Sequence, residues 1–322
     1  MVVETRKEEE ARWLEKAMEQ FREYLPNRRR RHIREGHIHA LIEHPLDPGG
    51  VGAGGLGGLV HYDYIVDASY TGTAGATVTL AGGSTSKLYT TIAEAFAQAV
   101  TDGGSRSFLI NKGTYTDNVS ATPGSGVDWD IHGEGSAVTI WQASGNTQTL
   151  LTLGTSGVNA IRFTGIRFSA ATFTGWIGVT NSAAANQRIH FESCHFTSST
   201  GTGSGMDIQN TDYLTVQNCI FDVAITAGST ASTVLQKALI DGNYFACVTG
   251  LSIAGNRVIV SNNEFACSTR GLALGTLAEG TITANVFSGT GILVSGFTTE
   301  GFVCVGNTFR STSLDFSSLS SA

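Results

Sequence analysis

Apolar residues follow two different rhythms along this chain. From Val3 to Leu25 they recur at helical spacing, with Leu14, Met18, Phe21 and Leu25 four, three and four residues apart on one face, which predicts an amphipathic helix. Glu8, Glu9 and Glu10 sit in its early turns, where the helix dipole favours anions, and Pro26 ends it. So short a helix is marginal alone, and its apolar stripe needs sister copies or a groove on another protein. Beyond residue 60 the rhythm changes to short alternating strands separated by Gly, Ser, Thr and Asn. One interruption, YTTIAEAFAQAV, reads as a short helix, and the residues after it through 131 read as strand, turn and strand. A helix at the start of a stack of coils covers its open apolar end and unpaired edge.

The strands repeat. IRFTGIRF, IHFESCHF, LTVQNCIF, ALIDGNYF, VIVSNNEF, GTITANVF and FVCVGNTF close on Phe168, Phe196, Phe221, Phe245, Phe265, Phe287 and Phe309, at spacings of 28, 25, 24, 20, 22 and 22 residues. That period is the length of one coil of a parallel β-helix. Two residues before each Phe stand Ile166, Cys194, Cys219, Asn243, Asn263, Asn285 and Asn307, so stacking the coils superposes four asparagines in a hydrogen-bonded ladder. A second strand in several coils reads Gly, in, out, in, and its outward positions are Asp207, Ser252, Ala273 and Leu293. Nine or ten such coils, at about 4.8 Å each, predict a rod near 45 Å long.

Composition separates the two regions. Residues 1–47 carry ten basic and ten acidic side chains of the chain's 47 charges, and seven glycines in residues 49–58 make a flexible hinge. The expected organisation is a charged helical arm over 1–47, a Gly-rich hinge over 48–60, a β-helix with its capping helix over 61–310, and a polar tail over 311–322. With 15% charged residues and 40 Gly, the chain is neither a helical bundle nor a solvated disordered one, and an all-β fold is expected. Net charge −7 argues against nucleic acid and anionic membranes as partners, although the run Arg28, Arg29, Arg30, Arg31 suits an acidic protein surface. The first residues lack the apolar core of a signal peptide and no 18-residue apolar stretch occurs, so synthesis and folding in a cytoplasm are expected. Five cysteines without a C-x-x-C pair read as small buried residues.

The Phe-closed coils, the Asn ladder and YTTIAEAFAQAV followed by FLINKGTYTDNV resemble the right-handed parallel β-helix proteins, which include pectin lyases and esterases and bacteriophage tailspikes. DYIVDASYTGT, ahead of the helix, is most similar to phage tail and virion proteins that carry such a β-helix. The resemblance covers roughly residues 61–310. It implies a single-stranded right-handed parallel β-helix with an N-terminal α-helical arm, on a virion surface, after synthesis in a host cytoplasm. The expected work is that of a short tailspike or a head or tail decoration protein binding a host-surface polysaccharide. Attachment to a capsid, tail or adaptor protein is assigned to the stripe Leu14, Met18, Phe21 and Leu25 and to Arg28–Arg31.

The fold is shared by enzymes and by pure binding proteins, so chemistry has to come from residues. Pectinases cluster outward carboxylates, and of Asp207, Ser252, Ala273 and Leu293 one is acidic. The Q-D-T and D-F-I-F-G segments of pectin esterases do not occur, and the nearest match, NTQTLL, lacks the acid. No catalytic residue and no cofactor are assigned, and a polysaccharide depolymerase and a purely structural particle protein stand as alternatives. Asp128, Asp130, His132 and Glu134 form the densest polar group, with alternation able to put the first three on one outward face. Glu192, Asp241 and Glu264 are placed in the bends as solvated turn acids. His37-x-His39, near His32 and His44, has metal-capable ligands, as in phage fibres that bind iron through H-x-H in trimers, but here the pair sits in the arm instead of a fibre tip, so it is read as polar arm residues contacting a partner and no metal site is assigned. GGVGAGGLGG has no strand before it and no Lys-Ser/Thr after it, so it is no phosphate loop. A further outward column, Arg162, His190, Thr215, Leu239, Ile259, Thr281 and Val303, turns partly apolar upward. Leu239, Ile259 and Val303 are therefore the expected contacts of a homotrimer.

Overall fold

The computed structural model describes residues 61–80, 83–145, 149–154, 159–170, 179–181, 187–198, 204–208, 211–227, 235–288, 292–295, 301–310 and 315–318. The arm and hinge, with Leu14, Met18, Phe21, Leu25, Arg28–Arg31, His37 and His39, lie outside the described residues.

The base is built first. Strand Tyr64–Val66 runs parallel to Thr85–Tyr89 on one side and to Arg106–Ile110 on the other, and Ala76–Thr79 folds back antiparallel on Thr85–Tyr89. The helix Ile92–Asp102 starts because the Thr91 hydroxyl accepts the Glu94 N–H, while the Asp117 carboxylate accepts the Ile92 N–H. It ends at Gly103, whose φ of 64° favours a residue without a Cβ. Ile92, Ala95, Phe96 and Ala99 form its buried face. The Phe96 ring packs 5.0, 5.3 and 5.7 Å from those of Phe108, Trp129 and Trp141, so the helix plugs the end of the stack with an aromatic cluster.

Above this plug the chain winds as an all-β parallel solenoid of about eight turns. Among the described residues, nine strands from Gly113–Thr116 to Thr308–Phe309 stack in chain order as one parallel sheet, and the remaining strands form a second, 19-stranded sheet. In the upper coils two strands are long, Thr249–Ser261 and Arg270–Thr283, and their parallel pairing shifts register between Ile253 and Gly255. Asp315–Ser318, within the expected polar tail, is a strand paired with Ile292–Ser295.

Each coil turns the same way for a local reason. The residue before the ladder position has left-handed backbone in all seven repeats, with φ between 53° and 68° at Gly165, Ser193, Asn218, Gly242, Asn262, Ala284 and Gly306. Gly and Asn tolerate that region, whereas Ala284 has no such chemistry. After this kink the ladder residue points inward and the closing Phe follows. The Phe rings stack face to face at 4.7 to 5.1 Å from Phe168 to Phe309, one per coil. Each fully buried ring contributes roughly 1.5–3 kcal/mol, which holds the coil spacing at its strand value.

The asparagines do the complementary polar job. Asn243 Oδ1 accepts the Cys219 N–H at 2.8 Å. Asn263, Asn285 and Asn307 each accept, through Oδ1, both the backbone N–H and the amide N–H of the asparagine one coil below, at 2.9–3.0 Å. Every Nδ2 also donates to a carbonyl of the coil below, on Val216, Ile240, Val260 and Ile282 respectively. In the lower coils Cys194 and Cys219 occupy the same column, and their Sγ atoms lie 3.5 and 3.2 Å from the carbonyls of Glu192 and Gln217. All five cysteines are unbridged thiols.

Candidate functional site

Register converts residues that are distant in sequence into columns on the outer face. One column reads Asp128, Ala160, Arg188, Tyr213, Lys237, Arg257 and Glu279. Two residues along each strand, the next reads Asp130, Arg162, His190, Thr215, Leu239, Ile259, Thr281 and Val303. Their side chains stand off the sheet because the core takes the alternate positions, among them Trp129, Ile161, Ile189 and Leu214.

A groove of about 640 Å³ lies along the lower part of these columns, lined by Asp130, Arg162, Arg188, His190, Tyr213 and Thr215 among others. A second, of about 480 Å³, continues past Tyr213 between Lys237, Arg257 and Glu279. In the lower groove His132 Nε2 lies 2.9 Å from Asp130 Oδ2, and Arg162 pairs with Glu192. His190 Nε2 is 4.0 Å from Glu192, too far for a hydrogen bond. The hydrogen bond from His132 holds the Asp130 carboxyl below the usual carboxylate range, helped by Arg162 and against the effect of burial. Burial, then the Arg162 charge, pushes the His190 pKa down. Beside the groove, burial and then Asp130 push the Tyr62 hydroxyl up. Asp130 Oδ1, Thr164 Oγ1 and His190 Nε2 are shielded from water with no hydrogen-bond partner among the described residues.

In the column beside them, Arg188 and Lys237 lie 5.1 and 5.5 Å from the Tyr213 ring centre, one from the coil below and one from the coil above. Arg257 forms an ion pair with Glu279 at 2.9 Å.

The structure separates the polar group of VDWDIHGEG. Asp128 and Asp130 line the groove, His132 is Asp130's partner, and Glu134 accepts the Lys112 N–H to close a turn. Glu192 pairs with Arg162, a groove residue, whereas Asp241 accepts from Ser261 and Asn262 of the coil above and Glu264 is exposed. Ala273, read as outward, is 8% exposed, so that strand face offers little room for a ligand there. Leu239 is half-buried, and Ile259 and Val303 are 44% and 48% exposed with Thr281 between them. That column therefore turns partly apolar going up the stack, while the neighbouring one stays charged through Lys237, Arg257 and Glu279. Among the described residues no three His, Cys, Asp or Glu gather to hold a metal ion, and no helix is long and apolar enough to cross a membrane.

The basic column was missed in the sequence, yet a signal for it exists. Arg188, Tyr213, Lys237, Arg257 and Glu279 each stand eight residues before a closing Phe. Compared with family models, with curated proteins and with solved structures, the chain finds no match.

Proposed function

We propose that the protein is a polysaccharide-binding β-solenoid of a phage virion, held to the particle by its N-terminal arm and presenting the groove to a host-surface glycan. One observation carries the binding part. Asp130, Arg162, Arg188, His190, Tyr213 and Thr215 line one groove with side chains that between them donate and accept hydrogen bonds. A polyhydroxylated ligand supplies both donors and acceptors to them. The virion setting is supported by the resemblance of DYIVDASYTGT and by the composition of residues 1–47. Three solenoids side by side along Leu239, Ile259 and Val303 present three grooves at once, and that multivalency turns weak sugar contacts into firm attachment.

A depolymerase is the second reading, favoured by Asp130 and Glu192 flanking Arg162. Asp130, however, is held ionised by His132, the wrong direction for a general acid.

The test is binding of the full-length protein to a panel of bacterial surface polysaccharides, with new reducing and unsaturated ends measured in parallel. Saturable binding without new chain ends, weakened in His190→Ala, supports the proposal. Accumulating chain ends replace it with the depolymerase. No binding to any polysaccharide or intact cell removes the glycan reading and leaves a particle-stabilising protein.

A further inference from the structure

Resting on the polysaccharide-binding reading, we propose that the glycan is acidic, and that its anionic groups are gripped by Arg188 and Lys237 on either side of Tyr213. The body beyond residue 47 holds ten basic and seventeen acidic residues, so a basic column there runs against the local composition. In that column Arg188, Lys237 and Arg257 occupy three of four consecutive coils. Arg257 is neutralised by Glu279, and Arg162 in the neighbouring column by Glu192. Arg188 and Lys237 have no ion-pair partner among the described residues, and both are exposed.

Tyr213 explains why two cations sit so near each other without an acid between them. Its ring accepts both by cation–π contact and fixes their heads to the wall of the groove. Two coils of strand spacing put their backbones about 10 Å apart along the stack, close to the length of a disaccharide. Carboxylates or phosphates on alternate sugars of a polymer lying along the axis therefore meet one cation each. Nucleic acid is a poorer match, because the ring that bases would stack on is already occupied by the two cations.

The experiment uses the full-length protein and polysaccharides in chemically matched pairs. Hyaluronate, alginate, polysialic acid and any polymer bound in the panel are compared with their carboxyl-reduced forms, which keep the backbone and lose the charge. A single-stranded oligonucleotide is the polyanion control. The expected result is about a tenfold or larger loss of affinity on carboxyl reduction, as for a lost charge-assisted contact. Arg188→Ala with Lys237→Ala should give the same loss for the acidic form and little change for the reduced form. Unchanged thermal melting of the double variant shows that the fold is intact. Equal binding of both members of a pair overturns the inference while the glycan reading stands. Binding of the oligonucleotide alone, or of nothing, overturns both.

Discussion

The lower and upper coils solve one problem with different chemistry. Both must hold successive turns at strand spacing through a sharp bend. Below residue 200 the column at the bend holds Ile166 and Cys194, and the interior is filled by Phe96, Phe108, Trp129 and Trp141 against the capping helix. From Asn243 upward the same position holds a chain of buried amides whose donors and acceptors meet in adjacent coils. Large, varied aromatic side chains suit a base that must be closed once. Identical amides suit coils that must each match the next.

The largest effect that separates the two regions is expected at Asn263. Asn263→Ala removes four hydrogen bonds, to Asn243 N, Asn243 Nδ2, Ile240 O and Asn285 Oδ1, and should cost roughly 4–6 kcal/mol in a buried site. Cys194→Ala, at the equivalent place below, loses a weak thiol contact and a small volume and should cost about 1 kcal/mol. Equal shifts in urea midpoint would erase the distinction. Next comes an attempt to extend the ladder downward. Cys219→Asn offers an amide donor to a carbonyl of the coil below and to Asn243 Oδ1, which here accepts the Cys219 N–H, and about 1 kcal/mol of added stability is expected. A destabilised variant would show that the lower coils are shaped against the amide.

A smaller gain is expected from Ala284→Gly. The left-handed φ of 54° at Ala284 disfavours a Cβ, so the variant should melt higher by up to about 1 kcal/mol, less the added chain entropy of glycine. Asn262→Gly, where Asn already tolerates the conformation, should change little. The smallest effect concerns His190, whose pKa is lowered in the folded protein. The unfolded chain therefore takes up the proton first as pH falls below about 6.5, so stability present at neutral pH is lost on the acid side. Comparing urea midpoints of the parent and His190→Gln from pH 7.5 to 5 isolates this contribution, expected below about 1 kcal/mol for a partly exposed ring.

The repeat was legible because one bulky ring per coil, each fixing the coil spacing, leaves Phe at nearly constant intervals. The ladder was legible for the same reason, since Asn keeps its phase relative to Phe. The helix Ile92–Asp102 showed in the spacing of Ile92, Phe96 and Ala99. The groove was harder. Arg188, Tyr213 and Lys237 are 25 and 24 residues apart and share no residue type, so nothing marks them as neighbours until the register is laid out. Counting outward positions from Phe in every column, and not in one, would have brought them together. Partnerless atoms such as His190 Nε2 depend on how close neighbouring side chains come, which no spacing rule records.

The amide oxygens of the ladder all accept from the coil below. Asn243 finds the acceptor for its own N–H in Asn263, the next coil to leave the ribosome, and Asn263 finds its own in Asn285. Each turn is thus finished by its successor. Order should zip from the helix-plugged base toward the C-terminus, in the direction of synthesis, and a truncation inside the ladder leaves the last remaining rung with its backbone N–H and one amide N–H facing water, its bond to the coil below intact.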